Sequence, residues 1–269
     1  LRAYPLDDRI PAIIDLVNQK NTINNQLNKD LIYEININRY PIAQYNAQGS
    51  IIRELPINAG VEGDIEILLS KNNISIEDNF PKVSPKKIVL KGREDLTSQP
   101  SLLFKSWECS NSPSLPAIYA EPYEGGYRIW VHSPAVSERI NIGGKLDRFL
   151  KDKGEITCLG NNWHKFLSDS LESASQFKLN EECESISLRI DINSQGNLID
   201  WRFSLSLIKP INKITPNHLN TINKRKATSK SIPLILKPIK DSLEVIYTII
   251  NASKLINQTH NVSIKLDQH

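Results

Sequence analysis

The stretch YEGGYRIWVHSPAVSERINIGGKLDRFLKDKGE, residues 123–155, places a strand and a helix one after the other. Apolar residues alternate over Tyr127–His132, and this period of two predicts a strand with its odd-numbered side chains on one face. An amphipathic run predicts a helix over 145–153. Gly154 follows it directly, as glycine commonly does after the last turn of a helix. This strand followed by a helix sets the fold class of the surrounding sequence.

Two longer strands are predicted downstream, over 185–193 and 197–207, because apolar and polar residues alternate in both. The turn Asn193-Ser-Gln-Gly-Asn197 between them predicts a hairpin. Thr215 followed by Pro216 is typical of a helix start, with threonine as the N-cap and proline in the first turn. The interleaved strands and helices indicate a mixed α/β (α+β) fold.

The N-terminal part has a different pattern. Short strands are predicted over 9–17, 31–37 and 49–55, and their close spacing favours a small β-barrel of five strands. An amphipathic helix is predicted over 63–71. Residues 72–100 are polar and contain three prolines, which is typical of a connector. We therefore place a domain boundary near residue 80 and predict domains at 1–78 and 79–269.

Composition limits the class of protein. The chain has 269 residues, 39% of them hydrophobic and 23% charged, as in an ordinary folded domain. No apolar run is long enough for a membrane span, and no signal peptide precedes the first strand, so we predict a cytoplasmic location and no membrane partner. The three cysteines show no metal-binding or disulfide spacing. Methionine is absent, and we interpret the chain as part of a longer protein.

The net charge of +3 is unevenly distributed. Between Arg202 and Lys240 the sequence contains no aspartate or glutamate but nine basic residues. A field of one sign attracts polyanions, so this segment is a candidate nucleic-acid contact. The alternative is a solvated lysine-rich face without a partner. The candidate RNA-binding residues are Arg202, Lys209, Lys213, Lys224, Arg225, Lys226 and Lys230, and Lys237 and Lys240 complete the basic segment.

The phrases Gly125–His132, Ser187–Ile192 and Gly196–Asp200 occur in the order typical of the RNB domain. The chain thus resembles the ribonuclease II and ribonuclease R exoribonucleases, and is most similar to the cyanobacterial Zam-type members of that family. The resemblance implies that 1–78 is an OB-like, cold-shock-type barrel. It also implies that 79–269 is the N-terminal portion of an RNB domain.

The family carries an acidic cluster of the form D-x-x-x-x-x-D-x-D-D-A shortly before this strand. The resemblance assigns its four metal-binding aspartates to Trp107, Pro113, Leu115 and Pro116, none of which is acidic. Two-metal phosphodiester cleavage needs several carboxylates around hard cations such as Mg²⁺. The nearby carboxylates, Glu108 and Glu121, do not restore such a cluster.

Two further departures follow downstream. Where the family tends to have H-I-A-D, this chain has His132-Ser-Pro-Ala135, and Cys158 replaces the tyrosine that stacks on a base. We interpret His132 as a structural histidine. Trp107 and Trp163 fall in predicted loops, where they could meet a base.

Three hypotheses remain open at this point. The first is an RNA-binding protein, with single-stranded RNA as partner, that lacks catalytic residues, metal ligands and a cofactor. The second is an active Mg²⁺-dependent 3′→5′ exoribonuclease. The third is a structural or regulatory protein that has also lost RNA binding. The oligomeric state is not indicated by the sequence.

Overall fold

The computed structural model describes residues 2–6, 10, 13–17, 32–55, 60–72, 74, 80–105, 114–159, 162–225 and 231–260. The chain divides into two compact units, Leu1–Asp78 and Asn79–His269. Within the described residues, no helix has the length and apolar character needed to cross a membrane.

The first unit is a small sheet followed by a helix. The sheet has the strand order β1-β2-β4-β3, with β2 and β4 parallel and β3 and β4 antiparallel. Its elements are β1 (Arg2–Ala3), β2 (Ile14–Leu16), β3 (Ile32–Arg39), β4 (Ala47–Leu55) and α1 (Val61–Lys71). The strands predicted over 31–37 and 49–55 and the helix over 63–71 are confirmed.

At Gly49 in β4, the side chains of both neighbouring strands approach the backbone closely. A Cβ atom there would lie 2.7 Å from Ile35 Cγ2 and 2.9 Å from Ile14 Cγ2, so only glycine fits between the two side chains. The strand predicted over 9–17 is confirmed at Ile14–Leu16, and part of its remainder lies outside the described residues. In the part of this unit that the structure describes, four strands are present and they do not close into a ring.

The second unit contains a seven-stranded sheet in the order β13-β6-β7-β8-β11-β12-β5 and a separate ribbon of β9 and β10. Its strands are β5 (Glu94–Leu96), β6 (Leu102–Lys105), β7 (Ser114–Tyr123), β8 (Gly126–Pro134), β9 (Thr157–Leu159), β10 (Asn162–His164), β11 (Cys183–Ile192), β12 (Leu198–Ile208) and β13 (Asn212–Ile214). Its helices are α2 (Lys145–Lys153), α3 (Asp169–Ser175), α4 (Pro216–Lys224) and α5 (Leu243–His260), with 3₁₀ helices at Ser137–Arg139 and Leu234–Ser242.

The predicted strands and hairpin of this unit are confirmed. β11 and β12 pair in antiparallel register from Cys183↔Ile208 to Ile192↔Leu198, and β8 pairs with the other side of β11. The helix α2 ends at Gly154, whose φ of 71° is one that glycine adopts readily. The α4 helix begins at Thr215, whose side chain accepts a hydrogen bond from the His218 backbone N–H.

The sheet curls, so that β12 and β13 come close together. Strand β13 is the first and β12 the sixth of the seven strands in the strand order, yet only residues 209–211 connect them. The Ile211 N–H donates to the Ser101 carbonyl at 3.0 Å, which ties this connection to the start of β6. The short strands β5 and β6 complete the curl by pairing in parallel with β12 and β13.

The curled sheet has two differently covered faces. The outer face carries α4, the 3₁₀ helix Leu234–Ser242 and α5, which bury apolar side chains of β6, β8 and β13. The inner face packs Trp130, Leu103 and Ile208 against Phe177, which follows α3. Tyr127, Ile129 and Val131 all belong to the cluster beneath α5, as the alternation in the sequence predicts.

Gly126 is the position where the sheet leaves no room for a side chain. A Cβ atom there would lie 2.0 Å from the Ile192 carbonyl oxygen and 2.6 Å from the Asn193 carbonyl carbon, both backbone atoms. We predict that Gly126→Ala lowers the free energy of unfolding by roughly 3 kcal/mol, because strands β8 and β11 must separate to admit the methyl group. Urea denaturation followed by circular dichroism measures this change.

The matched control is Gly92→Ala. Gly92 has a positive φ of 84° but no heavy atom within 4 Å of a Cβ, so its substitution costs only the backbone strain of about 1–2 kcal/mol. Equal losses in the two variants would contradict the close approach of β8 and β11.

Candidate functional site

The positions assigned to metal-binding aspartates lie at and before the start of β7. Trp107 and Pro113 fall outside the described residues, and Leu115 and Pro116 are in β7 itself. None of these four side chains has an oxygen that could bind a hard cation, so this set does not fit a magnesium site. Elsewhere in the part of the chain that the structure describes, no group of three or more His, Cys, Asp or Glu side chains could hold a metal ion.

Of the two nearby carboxylates, Glu108 lies outside the described residues and Glu121 is engaged with a tyrosine. The Tyr119 hydroxyl donates to Glu121 Oε2 at 3.1 Å. Burial and the Glu121 carboxylate together raise the pKa of Tyr119 to about 12, because both disfavour a phenolate. Tyr119 therefore stays a neutral donor over the physiological pH range.

A charged network occupies the inner face of the sheet beside Tyr119. Arg128 on β8 binds Asp191 on β11 through two hydrogen bonds, of 2.7 and 2.8 Å. Asp191 also lies 3.4 Å from the Arg189 guanidinium, which in turn pairs with Asp200 on β12. The two hydrogen bonds from Arg128 lower the pKa of Asp191, so this carboxylate stays ionised.

The sequence analysis did not predict this network, for which the sequence carries only a weak signal. Its residues lie on three different strands and become neighbours only through the ladder that pairs Asp191 with Arg128 and with Asp200. Charges of opposite sign at facing positions of predicted strands could have suggested it. The Arg128 guanidinium also lies 3.7 Å from the centre of the Tyr123 ring, which fixes its orientation further.

His132 is fully buried on the inner face, as expected for a structural histidine. Its Nδ1 lies 2.7 Å from Ser187 Oγ, and Ser187, Ser185 and Ser206 are joined by hydroxyl hydrogen bonds. The Trp130 ring stacks on its imidazole at a centroid distance of 6.2 Å. Burial lowers the pKa of His132 to about 4, so the imidazole is neutral near pH 7.

Cys158 and Trp163 face one another in the ribbon of β9 and β10. The antiparallel register pairs them directly, with Leu159 opposite Asn162 and Thr157 opposite His164. The prediction that Trp163 lies in a loop is therefore wrong, because Trp163 belongs to strand β10, which pairs with β9. Trp107, the other tryptophan considered for base stacking, lies outside the described residues.

Much of the basic segment lies on elements that share one apolar cluster in the second unit. The elements β13, α4 and the 3₁₀ helix Leu234–Ser242 share one apolar cluster beneath α5, so their exposed lysines surround a common core. We call these exposed lysines the β13–α4 basic surface: Lys209, Lys213, Lys224, Lys237 and Lys240.

Two of the predicted RNA-binding residues are arginines, and each binds a partner within the protein. Arg202 lies on β12, where it pairs with Glu94 on β5 at 2.5 Å and stands 5.8 Å above the centre of the Trp130 ring. Arg225 is half-buried and donates to the Tyr247 hydroxyl at 3.2 Å. Both guanidiniums are engaged within the protein. Lys226 and Lys230 lie outside the described residues.

Comparison with known families matches the RNB domain to residues 93–268 of this chain. Among curated proteins, the acetazolamide conferring resistance protein zam of Synechocystis is 21% identical over 99% of this chain and 36% of its own length. Protein sts5 of Schizosaccharomyces pombe is 22% identical over 77% of this chain and 22% of its own length.

Two solved structures are similar in fold. Mycoplasma genitalium RNase R in complex with double-stranded RNA has a TM-score of 0.71 and 17% identity, over 93% of this chain and 44% of the RNase R chain. Yeast Ssd1, described as a pseudonuclease, has a TM-score of 0.69 and 16% identity, over 85% of this chain and 30% of its own. The present chain thus spans less than half the length of each of these relatives.

The buried His132 generates a pH prediction. Its pKa of about 4 lies below the ordinary value of 6.5. Between these two pH values the His132 imidazole is protonated in the unfolded chain but neutral in the folded protein. The free energy of unfolding therefore has its full contribution from the neutral His132 imidazole above pH 6.5. This contribution falls by about 3 kcal/mol as the pH drops to about 4. We predict that His132→Gln flattens the loss of stability between pH 6.5 and 4, as measured by urea denaturation at a series of pH values.

The control is His260→Gln, which removes an exposed histidine on α5 and should retain the slope of the unchanged protein. If His132→Gln also retains that slope, the imidazole is not buried in its neutral form.

Proposed function

The chain belongs to the RNB-domain family, and on that premise we propose that it binds RNA without cleaving it. The observation that carries the proposal is the contrast between two regions of one domain. The four positions assigned to metal-binding aspartates offer no carboxylate, whereas the β13–α4 basic surface presents five exposed lysines. Cleavage by this family depends on the first region, and affinity for a polyanion can come from the second.

The charge distribution supports RNA as the ligand of the β13–α4 basic surface. No carboxylate interrupts the sequence between Arg202 and Lys240, so the lysines are not neutralised by neighbours in this segment. Lysines act as point charges for phosphate and need no fixed geometry, which suits a flexible single strand. Arg202 and Arg225 contribute less on this proposal, because each already binds a partner within the protein.

The first unit offers a complementary way to bind RNA, and we assign residues 1–78 to an OB-like barrel and 79–269 to the N-terminal portion of the RNB domain. Tyr40 and Tyr45 flank the turn between β3 and β4 and are 75% and 65% exposed. Exposed aromatic rings stack on the bases of single-stranded nucleic acid in a way that tolerates any sequence, at about 1–3 kcal/mol per base. Single-stranded RNA therefore suits both units.

The first test concerns charge. We predict that the triple variant Lys213→Glu, Lys224→Glu, Lys237→Glu binds a single-stranded RNA oligonucleotide at least tenfold more weakly than the unchanged chain. Each phosphate contact on a single strand contributes about −0.7 to the slope of log affinity against log salt, so the slope should become shallower by about 2. Fluorescence anisotropy at several salt concentrations measures both quantities.

The matched control is Lys145→Glu, Lys151→Glu, Lys178→Glu. It changes the net charge by the same amount, but Lys145 and Lys151 lie on α2 and Lys178 follows α3. Equal effects of the two triple variants would show that overall charge, and not the β13–α4 basic surface, governs binding.

The second test concerns chemistry. We predict that 5′-labelled single-stranded RNA stays intact with the protein in Mg²⁺, and that its affinity is the same in Mg²⁺ and in EDTA at matched ionic strength. The physical reason is that Trp107, Pro113, Leu115 and Pro116 supply no ligand for a two-metal site. Gel electrophoresis of the labelled RNA and anisotropy on the same sample provide the two measurements.

Progressive shortening of the RNA that stops on addition of EDTA would instead favour the alternative, an active Mg²⁺-dependent 3′→5′ exoribonuclease. Intact RNA without measurable binding would leave only a structural or regulatory role.

A further inference from the structure

A cleft of about 510 Å³ lies on the outer face of the curled sheet, beside the C-terminal half of α5. The turn between β7 and β8 contributes Gly125 and Gly126, and the turn between β11 and β12 contributes Ser194. Small-molecule sites in proteins have volumes of about 300–1,000 Å³, so the cleft is large enough for a ligand of that kind. None of the described residues that line it belongs to the β13–α4 basic surface.

One wall of the cleft is a single face of α5. Asn251, Lys254, Leu255 and Gln258 occupy positions i, i+3, i+4 and i+7, which lie on the same side of a helix. Leu255 packs against the apolar cluster beneath α5, whereas Asn251, Lys254 and Gln258 are exposed. The helix therefore presents to the cleft one lysine flanked by two amide side chains.

The other walls are held in place by close backbone contacts. A Cβ atom on Gly196 would lie 2.8 Å from the Leu255 carbonyl oxygen, and the Thr259 hydroxyl donates to the Gln195 carbonyl in the same turn. These contacts fix the β11–β12 turn against α5. The β7–β8 turn is fixed against β11, because Gly126 leaves no room for a side chain there. A ligand therefore enters a site that is already formed, and little binding free energy is lost in ordering it.

Lys254 is the one charged side chain among the described residues that line the cleft. Within the part of the chain that the structure describes, no carboxylate forms an ion pair with it. A lysine ammonium binds phosphate as a point charge and needs no fixed geometry. One cation, with no carboxylate among the described lining residues, suits a ligand that carries a single phosphate group.

The remaining lining residues suit a planar base. The amides of Asn251 and Gln258 each carry a hydrogen-bond donor and an acceptor, and such side chains recognise base edges. Pro122 and Tyr127 lie opposite each other in the β7–β8 ladder and supply an apolar floor that includes an aromatic ring. Lys254 is about one helical turn from each amide, a spacing that a single nucleotide can span.

We propose that the cleft binds one nucleotide, with its phosphate on Lys254 and its base on the amides of Asn251 and Gln258. A free nucleoside monophosphate and the 5′-phosphorylated end of an RNA present the same chemistry to this site. The proposal does not depend on RNA binding at the β13–α4 basic surface, because the two sets of residues are separate.

The test is isothermal titration calorimetry of the whole chain with adenosine 5′-monophosphate. We expect saturable binding of one nucleotide per chain. Lys254→Gln should weaken this binding by about tenfold, because a charge-assisted hydrogen bond to the phosphate is lost. Lys145→Gln is the matched control, since it removes one exposed lysine on α2, outside the cleft, and should leave the affinity unchanged.

Two fragments of the nucleotide separate the roles of phosphate and base. Adenosine, which lacks the phosphate, should bind Lys254→Gln and the unchanged chain equally. Ribose 5-phosphate, which lacks the base, should bind the unchanged chain about tenfold more weakly than the nucleotide does. The double variant Asn251→Leu, Gln258→Leu should weaken binding of the nucleotide and leave the affinity for ribose 5-phosphate unchanged.

Three results would each overturn the proposal: no saturable binding at millimolar nucleotide, equal affinities of Lys254→Gln and Lys145→Gln, or equal affinities for the nucleotide and ribose 5-phosphate. Nucleotide binding that is lost in the triple variant of the β13–α4 basic surface but retained in Lys254→Gln would overturn it as well.

The source of the nucleotide is distinguished with a 5′-phosphorylated single-stranded RNA. If its affinity falls with Lys254→Gln, the cleft binds the end of an RNA. If its affinity does not change while that for adenosine 5′-monophosphate falls, the cleft binds the free nucleotide.

Discussion

The three-residue connection between β12 and β13 is the constraint on which the second unit depends. In a flat sheet five strand spacings of about 4.8 Å would separate these two strands, so residues 209–211 can join them only if the sheet curls. Pro210 is fully buried in this connection, and its carbonyl accepts a hydrogen bond from the Asn180 N–H at 2.8 Å. The curl creates an enclosed inner face and an outer face that helices cover.

The inner face is held by polar as well as apolar contacts. The side chain of Arg93 is almost completely buried, where it donates to the carbonyls of Ser185 and Ser206 and pairs with Glu138. A buried guanidinium without such partners would be strongly destabilising. Together with the His132 and serine hydrogen bonds, these contacts stabilise the scaffold without using any position of the acidic cluster. Loss of metal ligands is therefore compatible with an intact fold.

Local elements could be predicted from the sequence because their signals are local. The alternation over Tyr127–His132, the glycine after α2 and the Thr215-Pro216 pair each act within a few residues, and the structure confirms them. The curl could not be predicted, since it depends on parallel pairs between remote strands. For the candidate site, the sequence identified the lysines that lie near α4. It could not reveal that Arg202 binds Glu94 or that Trp163 pairs with Cys158.

The closing contacts of the curl also set an order of folding events. Arg202 and Glu94 are 108 residues apart in the chain, whereas β7 and β8 are joined by a two-residue turn. The loop-closure entropy of remote pairs has to be overcome before their contacts contribute, so hairpins form early and the β5–β12 and β6–β13 pairs form late. During synthesis, β6 can pair with β7 soon after both have emerged, whereas β5 emerges long before its partner β12. The nascent chain thus carries β5 unpaired, and one edge of β6 open, until β12 and β13 have been made.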